Sequence, residues 1–243
     1  MDIEYMNIEY TEQDCQMNLS NTVLIACEMQ KKEIEYAAEQ TNFNGCISWM
    51  EKSLHEKPKR LNAALQEEIN KWQDKEAIIL SYGMCGNGIL GLVSPGTTLV
   101  LPKFDDCIRM LLSPGKNRPI PSAVDTLYYT EGWMDTSDCL LQEVNSYDLK
   151  YGPEKGAKFT KLVLSGYNSV SFIDTGFYDI SPCAKAVESK CRYCGLKIQT
   201  VPGNIRILTE LLAGHYDDEF VVKAPGEKIE LKDFDNRARC VFD

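Results

Sequence analysis

The chain has 243 residues, 44% of them apolar, and a net charge of -10 at neutral pH. That is enough apolar chain for one sizeable core. The acidic balance excludes general electrostatic attraction to nucleic acid or an anionic membrane, both of which need basic footprints. No run approaches the roughly 20 apolar residues of a membrane span, and the opening MDIEYMNIEYTEQDC carries acids where a secretory leader needs positive charge. A cytoplasmic protein is expected. In that compartment ten cysteines read as buried thiols or ligands rather than as a disulfide framework.

Residues 1–20 are polar and acidic without sustained periodicity and read as a flexible arm, leaving 21–243 as one α/β domain. NTVLIAC is a strand, and EMQKKEIEYAAEQ after it carries Ile34, Ala37 and Ala38 at helical spacing. CISWM is a second strand. HEKPKRLNAALQEEINKW places Leu61, Ala64, Leu65, Ile69 and Trp72 on one helical stripe, with Pro58 near its start. EAIILSYG and TTLVLP read as the third and fourth strands, and Asp105 or Asp106 as the cap of a helix carrying Cys107, Ile108, Leu111 and Leu112.

Further along, TLYYT and SVSFID are strands, with helices expected around 137–149, 153–165 and 182–194. Asn204 is placed to cap IRILTELL, and EFVVKA reads as a closing strand. Loops around 113–123 and 131–138 are rich in Pro, Gly and polar residues and are expected to cover a sheet edge. The alternation of strand and helix predicts an α/β fold, a mainly parallel open sheet covered by helices in a Rossmann-like layered architecture.

SYGMCGNGILGL contains Gly86, Gly88 and Gly91 in G-x-G-x-x-G spacing. A dinucleotide loop needs a helix to start at the phosphates, but ILGLVSPG reaches Pro95 and Gly96 within a few positions. A tight turn that presents Cys85 competes with the phosphate cradle, and Gly83, Gly86, Asn87 and Gly88 are the candidate cofactor-binding positions because glycines allow close backbone approach. No G-x-x-x-x-G-K-[ST] loop is present, so P-loop hydrolysis is not expected.

A stronger constellation comes from strand ends. Cys27 ends the first strand, His55 follows the second, Cys85 the third and Cys107 the fourth. If these strands are parallel, all four start from the carboxyl edge, where open α/β sheets bind ligands. Thiolate and imidazole suit zinc, and thiolates hold iron–sulfur clusters; a helix start at Cys107 would favour its thiolate. Buried thiols and a metal-free reactive thiol compete with this reading. Three cysteines alone would leave an open position on the ion or cluster, whereas four ligands on zinc would make a closed structural site.

CRYC, residues 191–194, reads as core packing, because Ala184, Val187, Cys191 and Cys194 form one helical stripe. His215 reads as a surface residue, and Asp174 and Asp179 as turn caps that could alternatively meet a polar substrate. Tyr128, Tyr129 and Trp133 could wall a pocket or fill core. Lys103 and Arg109 flank the fourth-strand site, either as an anion attractor or as solvated charge.

The segments SYGMCGNGILGL, LVLPKFDDCIRMLL, YYTEGWMD, FIDTG and PGNIRILTELLAGHYDDEFVVKAPGEKI resemble the domain of unknown function 1638 family of methanogenic archaea and other anaerobes. The most distinctive part is Y-G-x-C-G-N-G followed by D-C-I. The resemblance implies a cysteine site at Cys27, Cys85 and Cys107, and a role beside corrinoid methyltransferase systems. A histidine commonly precedes D-C-I in the family; this chain has Asp105 there, which weakens a ligand role at that position.

The expectation is a cysteine-ligated metal or iron–sulfur protein, with zinc or a cluster on Cys27, Cys85 and Cys107 and His55 as fourth ligand. It would be accessory to corrinoid-dependent methyl or one-carbon metabolism, with a corrinoid protein or methyltransferase as partner. A non-enzymatic corrinoid- or methyltransferase-binding protein and a nucleotide-dependent enzyme using the glycine turn are the competing expectations.

Overall fold

A computed structural model of the protein describes residues 19–116, 118–134 and 140–234. The acidic arm expected over 1–20 falls almost wholly outside the described residues, as do Cys15, Cys139 and Cys240.

The first two strands to consider are β1 (Thr22–Cys27, TVLIAC) and β3 (Ala77–Leu80, AIIL), in which every residue is buried. A strand buried on both faces belongs at the centre of a parallel sheet. Around them lie β2 (Cys46–Met50), β4 (Thr98–Pro102) and β8 (Phe220–Lys223), in the order β2-β1-β3-β4-β8, with only β8 antiparallel. The chain winds outward from β1 to β2 and then crosses back to β3. The switch in winding direction therefore lies between β1 and β3, the place where open α/β sheets form a ligand crevice.

Helix α1 (Lys31–Thr41) ends on Asn42 in the left-handed region, φ 52°. Helix α2 (Pro58–Lys71) begins on the expected proline and buries Leu61, Leu65 and Ile69 at four-residue spacing. These three pack with Val23, Ile25, Ile78 and Leu80 on one face of the sheet. On the other face, Leu24, Ala26, Ile79 and Val100 pack with Ile34 and Ala37 of α1 and Leu208 and Leu211 of α8 (Arg206–Ala213). Each fully buried Val, Leu or Ile among them contributes about 1.5–3 kcal/mol.

A separate parallel sheet, in the order β5-β6-β7, is built from β5 (Thr126–Tyr129), β6 (Ser169–Asp174) and β7 (Lys197–Pro202). Val170 and Phe172 pack against Val187 and Cys191 of α7 (Ser181–Cys194), while Ile173 joins the core shared with α8. The remaining helices are α3 (Cys107–Leu112), α4 (Glu131–Met134), α5 (Leu140–Tyr151) and α6 (Pro153–Val163). The α/β architecture is thus as expected, but it is divided between two sheets. The stretch expected as a loop at 131–138 starts with the single turn α4, whose Gly132 lies against the carbonyl of Met29; a Cβ there would meet that oxygen.

Candidate metal centre

The strands β1, β3 and β4 are parallel, so Cys27, Cys85 and Cys107 leave the same edge of the sheet. Two backbone bonds then join the segments that carry the last two. Met84 N–H donates to Phe104 O and Cys85 N–H to Asp105 O, both at 2.8 Å. This short ladder extends the β3–β4 pairing beyond the strands. It needs Gly83, because a Cβ at that position would come within 2.6 Å of Phe104 O and 2.7 Å of Asp106 N.

Three successive residues, Cys85, Gly86 and Asn87, have φ of 46°, 64° and 71°, a conformation that L side chains rarely adopt. The turn presents Cys85 and then folds back on α2, where Asn62 Nδ2 donates to the carbonyls of Gly88 and Leu90, each at 3.0 Å. Gly88 sits so close to Leu61 that a Cβ would come within 2.8 Å of it. Of the four candidate loop positions, Gly83 and Gly88 thus serve close packing within the protein, and Gly86 and Asn87 the turn itself. No helix forms between β3 and β4, so the element that holds phosphate in a dinucleotide fingerprint has no counterpart here.

Cys27 is buried, whereas Cys85 and Cys107 are half-buried. All three line one cavity of about 500 Å³ at the β1/β3 switch point. Burial pushes the Cys27 thiol up, against the opposing effect of the Met29 amide and the Tyr82 hydroxyl. Burial, Asp106 and Cys27 push Cys85 up to about 12. Cys107 is raised well above the ordinary range by burial, Cys85, Asp106 and Cys27. The thiols therefore sit close enough to oppose one another's ionisation. The favourable helix start expected for the Cys107 thiolate is outweighed by burial and by its neighbour Asp106, the cap of α3, whose carboxylate accepts from Arg109 N–H at 2.8 Å.

Three cysteine thiolates suit either zinc, with Zn–S bonds of about 2.3 Å, or an iron–sulfur cluster.

His55 lies in the short 3-10 helix Lys52–Glu56 after β2; its side chain is outside the described residues. The other wall of the cavity comes from the second sheet and includes Tyr128, Tyr129, Trp133 and Tyr167. Arg109 pairs with Asp105 at 3.2 Å and Lys103 does not line the cavity, so neither brings a positive charge to it. Residues 49–212 match a family described as a protein of unknown function, DUF1638.

The chain belongs to the DUF1638 family. No curated protein and no solved structure matches it. The matched segment runs from β2 to α8 and includes Cys85 and Cys107. Cys27 precedes it but is joined to it by the β1–β2 and β1–β3 pairings.

Elsewhere in the DUF1638 protein the bland readings hold. Cys191 is fully buried in the core of the second sheet, with Ala184, Val187 and Cys194, and His215 is exposed. Asp174 Oδ1 accepts from Gly176 N–H and Asp179 Oδ1 from Ser181 N–H, both at 2.9 Å, as turn caps do. A second, more polar cleft of about 730 Å³ shares Met29 with the cysteine cavity. Its charges largely satisfy one another: Lys32 pairs with Glu131, and Tyr178 Oη donates to buried Glu33 at 2.8 Å. It is therefore the weaker candidate for chemistry, although it is larger.

Gln30, Ser81, Tyr82 and Tyr167 are among the cavity residues that the sequence does not single out. Ser81 and Tyr82 stand in the stretch that carries Cys85, at the end of the third strand, and that position was the available signal.

Proposed function

We propose that Cys27, Cys85 and Cys107 hold an iron–sulfur cluster that keeps one iron open toward the chamber. The observation that carries this reading is the convergence of three cysteines from the carboxyl ends of three adjacent parallel strands on one cavity. Three thiolate donors suit a cluster, with zinc as the competing occupant. Thiolates in this cavity need compensating positive charge, and among the described residues no Lys or Arg lines it; iron would supply that charge. With His55 as a fourth ligand the same site would be closed.

A three-thiolate cluster can transfer electrons or bind a small molecule at its open iron. The reading places the DUF1638 protein in the cytoplasm, in a reducing compartment, as an accessory to corrinoid-dependent methyl or one-carbon metabolism. The metabolic part rests on the family resemblance. A chamber of about 500 Å³ is too small to enclose a corrinoid, so a corrinoid protein or methyltransferase would meet it at the mouth. No helix among the described residues is long and apolar enough to cross a membrane.

Anaerobic purification followed by iron and acid-labile sulfide analysis, with the visible spectrum, tests the proposal. Stoichiometric iron and sulfide with broad visible absorption is the expected result. Colourless protein with stoichiometric zinc would replace the cluster by a Lewis-acid or structural ion, and protein that takes up neither after reconstitution would refute the metal centre.

A further inference from the structure

The chamber beside the cysteines has a wall chemistry of its own. Gln30, only 1% exposed, ends the 3-10 turn that follows Cys27, and Ser81, also 1% exposed, immediately follows β3. They come from the two strands that flank the switch point, and both line the chamber. Among the described residues, neither the Oε1 nor the Nε2 of Gln30 has a hydrogen-bond partner, and neither has the Ser81 hydroxyl. Leaving a buried polar group unpaired costs about 1–3 kcal/mol, so three such atoms at one cavity wall mark a site whose partner is a ligand.

What that ligand is follows from what surrounds them. Tyr128, Tyr129, Trp133 and Tyr167 supply flat apolar faces suited to stacking a planar group. Among the described residues no Lys or Arg lines the chamber, and Asp106, the one charged residue described there, is engaged as the cap of α3. An anion entering here would lose its hydration with no counter-charge to replace it. A quaternary ammonium would suit the aromatic faces but would leave Gln30 and Ser81 as unpaired as before. A carboxamide side chain offers a donor and an acceptor side by side, and its complement is another amide edge.

We propose that the chamber binds a compact, uncharged, planar molecule carrying an adjacent hydrogen-bond donor and acceptor, a primary amide or lactam, read by Gln30 with Ser81 and stacked on the aromatic wall. As the substrate of the centre proposed above, the molecule depends on that reading; as a ligand of Gln30 it does not. The volume of about 500 Å³ lies within the range of small-molecule sites.

The test is calorimetry and ligand-observed NMR on the full chain with nicotinamide, 2-pyridone and uracil as probes, nicotinate and benzoate as anionic controls, and tetramethylammonium as the cationic control. Metal content is measured on the same samples. Saturable binding of at least one neutral amide, with the controls at least tenfold weaker, is the expected result. Gln30→Leu should abolish that binding while leaving the thermal midpoint equal or higher, because it removes two unpaired buried atoms. Gln30→Glu, which keeps the acceptor but brings negative charge, should also lose it. Tighter binding of an anion or of tetramethylammonium, amide binding that survives Gln30→Leu, or no binding by any neutral probe would overturn the assignment. Amide binding in protein that takes up no metal would leave this inference standing and remove the cluster; a loaded cluster without amide binding would do the reverse.

Discussion

The backbone N–H of Cys85 donates to the carbonyl of Asp105 at 2.8 Å, which fixes Cys85 next to the segment that carries Cys107. Two residues distant in sequence are thus held together by main chain rather than by their own side chains. The contact depends on Gly83 having no Cβ, which yields the first expectation. Gly83→Ala should lose about 1–3 kcal/mol by overpacking and lower metal occupancy in protein that is still folded. Thermal melts and metal analysis check it; an alanine variant with unchanged stability would show that the two segments are not so close.

Asp106 has two effects that separate on substitution. Its carboxylate caps α3 and also opposes ionisation of Cys85 and Cys107. Asp106→Asn keeps a capping oxygen and removes the charge, so stability should change little while both thiols ionise at lower pH. Asp106→Ala loses the cap as well, at about 1 kcal/mol. In metal-free protein the rate of thiol alkylation against pH should shift to lower pH in both variants, and an unshifted profile in Asp106→Asn would contradict the placement of that charge.

Glu33 gives a pH dependence with a definite sign. Burial raises its folded pKa, against the hydrogen bond from Tyr178, so the native state disfavours its ionised form. Stability is therefore lost as pH rises from the unfolded carboxylate value through the raised folded value, and no penalty remains below both. Glu33→Gln, which can still accept from Tyr178, should be more stable than the parent at neutral pH, with the difference vanishing in acid. Denaturant melts at pH 4 and pH 7 measure this; a difference that grows in acid would reverse the sign.

The sequence made the other strands, the amphipathic helices and the common edge of the cysteines legible, because buried runs such as AIIL and stripes such as Leu61, Leu65 and Ile69 are local signals. It did not reveal β7, whose sequence KIQTVP is polar and whose residues remain largely exposed at a sheet edge. Nor did it divide the strands between two sheets, since the pairing of β4 with β8 joins residues more than a hundred positions apart. Cysteines could be assigned to the site by element, but Gln30 and Ser81 could not, because their significance lies in the partners they lack.

Cys191 provides the control for the metal centre. It is fully buried beside Val187, so Cys191→Ser puts a hydroxyl into apolar surroundings and should cost about 1–3 kcal/mol without affecting metal. A melting midpoint equal to the parent would contradict its core placement.

The most direct measurement is bound iron and sulfide per chain in Cys27→Ser, Cys85→Ser and Cys107→Ser, reconstituted anaerobically alongside Cys191→Ser and the parent. Each of the first three is expected to lose most of its cluster while Cys191→Ser keeps a full complement. Equal occupancy in all five proteins would rule out a centre held by Cys27, Cys85 and Cys107.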